Sequence, residues 1–538
     1  MVVAEPTVTL IVKTYVKLDH NTINTKPSSH DSTTSLPFPS TVHLSAAAPT
    51  MAHLHLLPLL LLLFAAAAVA TGGDDAHVSA VVAEKGLAFA KDVLIEQAVR
   101  SLTPLPLPGV EKAMRVPFLG GVRVAASNIT LFHFDVGENS TIYPGNSSLV
   151  VVASGITANL SMNWSYCYDS WLFPLEISDS GTASILVQGL EVGITMAIKN
   201  INGSLALSVS QSGCYVKDLV ISLDGGASWF YQGFINAFED HIKAAVEKAI
   251  PENIIEGAGK LDSFLQGLPR TVNLDNVAAL NMTFVNDPRY GNSSIEFDIN
   301  GLFASADAKK NILQKHPQLS LSCGDASKML LLSLDEDVFN SALEVYFKAG
   351  SMHWIVDKVP DQNLLNTASW KFIIPRLYWN YPNDDMLLNI SMASSPVIRI
   401  RSEEISATIN ADMIIDVLNG KDTVPVACIS VDVSASGAVE TSGNKVYGKV
   451  GLDNFSLALK WSKIGNFHMS LIQGVIRVFL NTVAMPYLNS RLGNGFILPV
   501  VHGFTLKDVN VLTSANQLTL WSDITFTNAS SLLSLPVL

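Results

Sequence analysis

The chain has 538 residues, a formal net charge of −13 at pH 7, 48% hydrophobic residues and 15% charged residues. An acidic protein with few cations lacks the electrostatic footprint of a nucleic-acid-binding protein, and its apolar balance argues against a disordered chain. The length exceeds what one hydrophobic core normally serves, so we expect two domains. No apolar run after residue 70 is long enough to cross a membrane, which leaves cores or a ligand cavity to take up the surplus apolar surface.

The first 70 residues differ from the rest of the chain. Residues 1–50 are rich in Ser, Thr, Pro and His and show little periodicity, so we interpret them as disordered or as an upstream extension of the reading frame. Residues 51–70 hold an apolar run that ends in Ala-Val-Ala, which predicts a signal peptide cleaved before Thr71. If Met1 is the true start, the same run is a candidate signal anchor, but its short length and Pro58 favour cleavage.

Export through the secretory pathway predicts glycans and disulfide bonds. The sequence has eleven Asn-x-Ser/Thr sites, at Asn128, Asn139, Asn146, Asn159, Asn163, Asn202, Asn281, Asn292, Asn389, Asn454 and Asn528. The four cysteines divide evenly, with Cys167 and Cys214 in the first half and Cys323 and Cys428 in the second. In an oxidising compartment this division predicts one disulfide bond inside each domain, and buried free thiols are the alternative.

Two features of the first half indicate a curved sheet with a helix beside it. Residues 78–102 have helical apolar spacing and are followed by several prolines, which predicts an amphipathic helix. Residues 190–209 form two alternating strands around an Asn202-Gly203 turn. Strands of this length suit a highly twisted sheet or barrel better than a compact sandwich.

A strand that leads into a long apolar helix occurs once in each half. In the first half, residues 217–224 alternate, and an aromatic helical stripe then runs from Trp229 to a predicted stop at Pro251. In the second half, a strand at 452–461 precedes a helical pattern over 469–483 that is followed by Pro and Gly. The repetition suggests two homologous domains, whereas two unrelated amphipathic helices are the alternative.

The second half also has counterparts to the other elements of the first. Residues 335–349 predict a helix, and residues 405–417 alternate along one long strand. The polar, Lys-containing stretch 301–318 is the candidate linker between the halves. The predicted domains are therefore 71–300 and 319–538.

Four stretches together resemble one protein family. They are KGLAFAKDVL from residue 85, LLLSLDEDVFNSALEVYFKAG over 330–350, GKVGLDNFSLALKWSKIGNF over 448–467, and the segment 485–520. On these residues the chain resembles a plant member of the family of bactericidal/permeability-increasing protein, lipopolysaccharide-binding protein and the plasma lipid-transfer proteins. The resemblance implies an α+β fold, an elongated boomerang of two homologous barrel domains, each a highly twisted antiparallel sheet with two helices, joined by a central sheet. It also implies an apolar pocket in each domain that holds the acyl chains of a phospholipid.

Two departures from the family pattern limit what the resemblance implies. The animal proteins place the partner of the cysteine matching Cys214 at the far end of the long helix, where this chain has no cysteine, so pairing with Cys167 is implied instead. The endotoxin-binding animal members have a cationic N-terminal tip. Here residues 71–300 hold 13 Lys and Arg against 24 Asp and Glu, a balance of −11.

The sequence has no arrangement typical of an enzyme. It lacks the Gly-x-Ser-x-Gly, His-Glu-x-x-His and Gly-x-Gly-x-x-Gly motifs, and its twelve His are scattered. Asn383-Asp384-Asp385 is a candidate metal site, but a solvated loop is favoured because no further ligand lies at a recognisable spacing. We therefore expect no catalytic residues, no cofactor and no metal.

These observations predict a secreted lipid-binding protein, apoplastic or vacuolar, that holds acyl chains of phospholipid or lipopolysaccharide and contacts membrane surfaces transiently. The candidate lining residues are apolar side chains of the first helix and of the long helix, with ordinary core packing as the alternative for each: Leu87, Phe89, Val93, Leu94, Phe230, Phe234, Phe238 and Ile242. The family resemblance adds recognition of bacterial lipopolysaccharide in plant innate immunity. The alternative function is a membrane-tethered or extracellular interaction protein of the same fold without a usable cavity.

Overall fold

The computed structural model describes residues 76–116, 120–169, 176–224, 235–306, 327–359, 362–442, 445–493, 496–497 and 504–526. Several predicted features lie outside these ranges, namely the signal peptide and the residues before it, Phe230, Phe234, Cys323 and Asn528.

The first half folds into a curled antiparallel sheet with two helices packed against it. Its strands are β1 (Val78–Val82), β2 (Leu105–Pro106), β3 (Val110–Val116), β4 (Gly120–Asp135), β5 (Ser140–Pro144), β6 (Leu149–Asp169), β7 (Glu176–Ile201), β8 (Ser204–Tyr215) and β9 (Asp218–Asp224). Its helices are α1 (Glu84–Leu102) and α2 (Asn236–Gln266). Strands β2 to β9 share one sheet in the order β2-β4-β6-β7-β8, in which β3 pairs with β4, β5 with β6 and β9 with β7.

The length of the central strands of this sheet accounts for its curl. Strands β6 and β7 have 21 and 26 residues, and a right-handed twist accumulated over such lengths bends a sheet around on itself. The register between them shifts between Ala153 and Ile156, on either side of Gly155 at φ +71°. The predicted hairpin turn is confirmed, because Asn202 and Gly203 have φ values of +52° and +86° and join β7 to β8.

The beginning of the predicted 78–102 helix is a strand instead. Strand β1 is paired on both edges, so that Val78 lies opposite Ile299 on one side and Leu334 on the other. Three of its five residues are valines, which favour extended backbone. The helix itself begins only at Glu84. Local apolar spacing predicted one helix here because it carries no information about the two distant strands that pair with β1.

The sequence pattern predicted that helix α2 ends at Pro251, but the helix continues past this residue. It has 31 residues with Pro251 inside it. An interior proline removes one helical hydrogen bond and its ring clashes with the preceding turn, at a cost of about 3 kcal/mol. Burial of Ile250, Leu261 and Leu265 on both sides of the proline offsets this cost, since each exposes 7% or less of its surface.

The predicted 301–318 linker begins as part of a sheet. After α2 the chain forms β10 (Thr271–Asn273), β11 (Ala278–Asn281), β12 (Arg289–Tyr290), β13 (Ile295–Ile299) and β14 (Phe303–Ser305). Strands β10, β11 and β14 make a three-stranded sheet. The remainder of the predicted linker, 307–318, lies outside the described residues.

The second half repeats the arrangement of a curled sheet with helices. Its strands are β15 (Leu330–Asp335), β16 (His353–Val356), β17 (Asp385–Met392), β18 (Val397–Arg401), β19 (Glu404–Asn419), β20 (Asp422–Ser442), β21 (Lys445–Ser462), β22 (Phe496–Ile497), β23 (Phe504–Ser514) and β24 (Gln517–Phe526). Its helices are α3 (Glu336–Lys348), α4 (Pro375–Asn380), α5 (Met469–Phe479) and α6 (Met485–Leu492), with 3-10 turns at Gln362–Leu365 and Thr367–Trp370. Strands β16 to β22 form a seven-stranded sheet in the described chain.

A central sheet joins the two halves. Its strand order is β12-β13-β1-β15-β24-β23, so strands from the beginning, middle and end of the described chain are neighbours. The predicted fold class, two highly twisted antiparallel sheets with helices joined by a central sheet, is confirmed. The predicted 335–349 helix is also confirmed as α3, which begins where the Asp335 carboxylate accepts a hydrogen bond from the Asp337 amide at 2.9 Å.

The predicted 469–483 helix extends through Pro486. A π-helical turn at Leu480–Ala484 links α5 to α6 and ends two residues before Pro486. The wider turn suits this position, because the proline has no N–H for an ordinary helical bond and its ring needs space.

The same helix departs from the expectation that no later run is long enough to cross a membrane. Residues Met469–Ser490 form a continuous helix of 22 residues that passes that test by length and composition alone. Its side chains Ile472, Ile476 and Phe479 are buried against the sheet, and the Trp354 ring lies 5.9 Å from that of Phe479. In the folded protein one face of this helix therefore packs on the core of the second half, while Leu471 and Val478 on it are exposed.

The implied Cys167–Cys214 disulfide bond is wrong for this structure. Cys167 lies opposite Ser178 of β7, whereas Cys214 lies opposite Val192 of the same strand. Fourteen residues of strand separate those positions, roughly 45 Å when extended, and a disulfide bond requires Cα atoms less than about 7 Å apart. Cys428 is buried. Its predicted partner, Cys323, lies outside the described residues.

Candidate functional site

An apolar cavity lies between the curled sheet of the first half and helices α1 and α2. The space within it and across its open mouth, solvent included, amounts to about 830 Å³. Its walls come from the last two turns of α1, from the middle of α2 and from strands β4, β6 and β7: Leu94, Ile95, Ala98, Val99, Ser101, Leu102, Phe134, Val136, Val151, Ala153, Ile156, Val192, Ile194, Met196, Ile250, Asn253, Ile254, Ala258 and Leu261. The long strands supply one face and the two helices the other.

The polar groups on these walls are few and already engaged. The Ser101 hydroxyl donates to the Ala98 carbonyl at 2.8 Å, and the Asn253 amide donates to the Ala249 carbonyl at 2.9 Å. Each bond stays within its own helix, so the remaining wall is hydrocarbon. Such a site offers no group suited to proton transfer or nucleophilic attack, and it favours an apolar ligand through burial alone.

The structure places only one of the described lining candidates on the wall of this cavity. Leu94 lines it. Leu87 and Val93 are 1% and 3% exposed and belong to the core shared with the central sheet, against which Phe89 packs half-buried. Phe238 and Ile242 are 4% and 1% exposed in the core at the other end of the first half. Phe230 and Phe234 lie outside the described residues.

The wall residues that the sequence reasoning missed have a recognisable pattern. Ile250, Ile254, Ala258 and Leu261 follow each other at intervals of four, four and three residues along α2. This stripe was detectable, but a stop placed at Pro251 excluded everything after it. The strand residues Val192, Ile194 and Met196 were recognised as one face of a strand and not as a cavity wall.

A thiol lies beside the wall strand and helix α2. Cys214 pairs with Val192 across β7 and β8. Burial, and then the negative charge of Glu247, raises the pKa of the Cys214 thiol to about 12. Glu247 itself accepts a hydrogen bond from the Val216 amide at 2.9 Å. At neutral pH the thiol is therefore protonated and behaves as a small hydrophobic group.

A second apolar cavity occupies the equivalent place in the second half. It lies between α5, strands β17, β19 and β20, and the short helical segments around α4, and its space, open solvent at the mouth included, amounts to about 540 Å³. All its lining residues are apolar, including Trp370, Ile374, Leu388 and Ile476. The Trp370 indole N–H donates to the Leu364 carbonyl at 2.9 Å, which leaves its ring to face hydrocarbon.

The acidic groups of the chain that resemble metal sites have structural roles. His77, Asp335 and Asp337 lie close together, but the Asp335 carboxylate caps α3, and burial raises its pKa. In the Asn383-Asp384-Asp385 segment, the Asp385 carboxylate accepts a hydrogen bond from the Asn366 amide at 3.0 Å. In the described residues, the Asp335 and Asp385 carboxylates thus take part in the hydrogen bonds that position the start of α3 and of β17.

Two family models match most of the chain. The N-terminal domain model of the LBP / BPI / CETP family matches residues 86–268, and the C-terminal domain model matches residues 272–526. The junction between them falls just after α2, before the predicted linker.

Known proteins match over nearly their full length. The chain is 46% identical over 475 residues to an Arabidopsis thaliana protein named for the BPI/LBP family, covering 88% of this chain and 97% of that protein. It is 23% identical to lipopolysaccharide-binding protein of Mus musculus, covering 85% of this chain and 95% of the relative. A crystal structure of lipopolysaccharide binding protein matches the fold with a TM-score of 0.57 and 20% identity, over 84% of this chain and 100% of that chain.

Proposed function

The chain belongs to the LBP/BPI/CETP family as a plant member, and we propose that it is a secreted, non-enzymatic protein that holds acyl chains of phospholipid or lipopolysaccharide in its two apolar cavities. The observation that carries this proposal is the cavity between α1, α2 and the curled sheet, whose polar wall groups Ser101 and Asn253 both donate to their own helix backbone.

The energetics of lipid transfer explain why such a cavity is sufficient. Each methylene exposed to water costs about 0.8 kcal/mol, so some thirty methylenes of a diacyl lipid cost on the order of 20 kcal/mol. Spontaneous escape from a bilayer is therefore slow. A hydrocarbon-walled cavity replaces bilayer by protein, which makes the exchange nearly neutral without any covalent step.

The proposed biological role is recognition of bacterial lipopolysaccharide in innate immunity, at the apoplast or in the vacuole. Relatives are named for binding lipopolysaccharide, which supports the ligand class. The acidic first half, with 13 Lys and Arg against 24 Asp and Glu over residues 71–300, lacks the cationic balance that favours a polyanionic head group there. For this reason the proposal includes phospholipid as well as lipopolysaccharide.

Secretion and glycosylation form part of the same proposal. Among the described candidate sites, seven asparagines are exposed: Asn128, Asn139, Asn146, Asn163, Asn202, Asn292 and Asn454. We expect N-terminal sequencing of the mature protein to begin at Thr71 and glycopeptide mapping to find glycans on several exposed sites.

Mass spectrometry of organic extracts from the purified, secreted protein tests the proposal. A bound lipid in stoichiometric amount is expected, and its head group distinguishes phospholipid from lipopolysaccharide. Extracts without lipid, together with failure of the protein to take up a fluorescent phospholipid, would instead support an interaction protein of the same fold without a usable cavity.

A further inference from the structure

The outer end of the second half carries two large aromatic side chains in solvent. Phe372 and Trp379 are 83% and 74% exposed, the highest values among the exposed large hydrophobic residues of the described chain. Single exposed apolar residues are common, but two such rings seven positions apart on one short segment form a feature that needs a partner.

This segment lies at the end of the sheet that is remote from the central sheet. Strand β20 contacts the central sheet near its last residues, where the Thr441 hydroxyl donates to the Val509 carbonyl. The first residues of β20 lie at the opposite end, where they pair with the end of β19. There Leu418 of β19 pairs with Asp385 of β17, which follows the segment with Phe372 and Trp379 in the chain. The aromatic rings therefore project from the outer end of this half.

Cations accompany the aromatic rings. The Lys371 ammonium group lies 4.9 Å from the centre of the Phe372 ring, and the exposed Arg376 side chain lies over Gly465. No Asp or Glu occurs in residues 371–383. Within the described ranges, neither Lys371 nor Arg376 forms an ion pair. The segment 371–383 therefore carries two positive charges and no negative charge, and Asp384 and Asp385 follow it directly in the chain.

The same short segment forms part of the wall of the second cavity. Trp370, Ile374 and Leu377 line that cavity, whereas Phe372 and Trp379 face solvent. Inward and outward apolar side chains thus alternate along one stretch of chain. A surface that binds the Phe372 and Trp379 rings therefore lies directly outside the wall of the second cavity.

We propose that Lys371, Phe372, Arg376 and Trp379 form a docking surface for lipid bilayers with anionic head groups. The Trp379 ring has a polar N–H edge that favours the bilayer interface, the wholly apolar Phe372 ring favours the boundary with the acyl chains, and Lys and Arg are attracted to anionic lipids. Continuity with an apolar cavity favours a bilayer over a protein partner as the occupant. The link to the cavity rests on the proposed function, but docking itself does not require a lipid inside the protein.

Vesicle binding of the full secreted protein tests this surface. We compare sedimentation with vesicles of phosphatidylcholine alone and of phosphatidylcholine mixed with phosphatidylglycerol. The double variant Phe372→Ala/Trp379→Ala is expected to bind the mixed vesicles at least about tenfold more weakly, about 1.4 kcal/mol. Lys371→Gln/Arg376→Gln is expected to lose about fivefold per cation on mixed vesicles and little on phosphatidylcholine alone.

A matched control removes exposed aromatic rings elsewhere. Phe132 and Tyr143 are 53% and 49% exposed in the first half, and Phe132→Ala/Tyr143→Ala is expected to bind vesicles like the unchanged protein. Equal vesicle binding by the two docking-surface variants, Phe372→Ala/Trp379→Ala and Lys371→Gln/Arg376→Gln, and by this control would overturn the proposal. So would a dimer of the unchanged protein that dissociates in Phe372→Ala/Trp379→Ala while vesicle binding stays constant, since that result assigns the rings to a second copy.

Lipid retention measured on the same variants separates this proposal from the proposed function. A docking-surface variant that keeps its bound lipid but loses vesicle binding supports both the docking surface and the proposed lipid-holding function. If the protein binds vesicles through this docking surface but never carries lipid, the docking proposal stands and the proposed lipid-holding function of the cavities fails.

Discussion

The Lys85 ammonium group lies 2.8 Å from Oδ1 of Asp523, although 438 residues separate them in the sequence. Lys328 approaches the other carboxylate oxygen of Asp523 at 3.3 Å. Lys85 lies in the first turn of α1, and Asp523 belongs to β24 of the central sheet. The ends of the described chain are thus tied together where the two halves meet.

Loss of the Asp523 charge is expected to destabilise the protein. Its side chain is 14% exposed and that of Lys328 is 13% exposed, so Asp523→Asn leaves a largely buried ammonium group without its counter-charge. We expect the free energy of unfolding at pH 7 to fall by about 2 kcal/mol in chemical denaturation. Glu252→Gln, which removes an exposed pair with Lys248, is the control and should change it by less than about 0.5 kcal/mol.

The same carboxylate predicts how stability depends on pH. Burial alone raises the pKa of Asp523, but hydrogen bonds from Lys85 and Lys328 and their charges lower it more, so the net shift is downward. Its contribution is therefore fully present above the unfolded value of about 3.9 and is lost as the pH falls through the lower folded value. Below about pH 4, the stability difference between the unchanged protein and Asp523→Asn should shrink. A difference that stays constant down to pH 2 would contradict this account.

We expect the Cys214 thiol to react slowly with alkylating reagents and to form no disulfide bond. With a pKa of about 12, roughly one thiol in ten thousand is ionised at pH 8, so alkylation by iodoacetamide should be slow and should accelerate as the pH rises. Glu247→Gln removes a negative charge beside it and should lower the pKa and speed the reaction. A Cys167–Cys214 peptide in non-reducing peptide maps would contradict both the register of β7 and this prediction.

Replacement of Pro251 tests the continuity of α2. Because the helix continues on both sides of this residue, Pro251→Ala restores one helical hydrogen bond and relieves a clash. We expect the free energy of unfolding to rise by about 1 to 3 kcal/mol. Lower stability of the variant would mean that a bend at Pro251 is required for Ile250 and Ile254 to reach the sheet.

Filling the first cavity should displace its ligand without unfolding the protein. Ala98 lines the cavity and is half-buried, whereas Ala88 lies ten residues earlier on α1 and is exposed. We expect Ala98→Trp to weaken uptake of a fluorescent phospholipid at least about tenfold, because the ring occupies space that the acyl chain needs. Ala88→Trp, the matched control, should bind like the unchanged protein, and equal binding by both variants would exclude this cavity as the site.

Sequence patterns predicted the elements of this fold well where the information is local. The alternation over 405–417 became β19, Asp335 marked the start of α3, and Asn202-Gly203 marked a hairpin. The patterns failed where distant segments decide the outcome. Residues 78–82 became a strand because they pair with β13 and β15, and no local pattern contains that pairing.

The predicted lining residues and the cavity lie on the same two helices, α1 and α2, but mostly at different positions along them. A helical stripe shows which face is buried, and both core packing and a cavity wall satisfy it equally. Phe238 and Ile242 fill a core, while Ile254 and Leu261, on the same helix after Pro251, line the cavity. Only the three-dimensional separation between α1, α2 and the sheet distinguishes these two environments.

Photo-crosslinking with a phosphatidylcholine that carries a diazirine near the end of one acyl chain tests the central claim most directly. After loading, irradiation and digestion, we predict labelled peptides that contain residues 94–102 and 250–261 in the first half, and residues 472–479 in the second. Ala98→Trp should remove the first two and spare the third. Label confined to exposed surface peptides, or unchanged by Ala98→Trp, would contradict the claim that the cavities hold acyl chains.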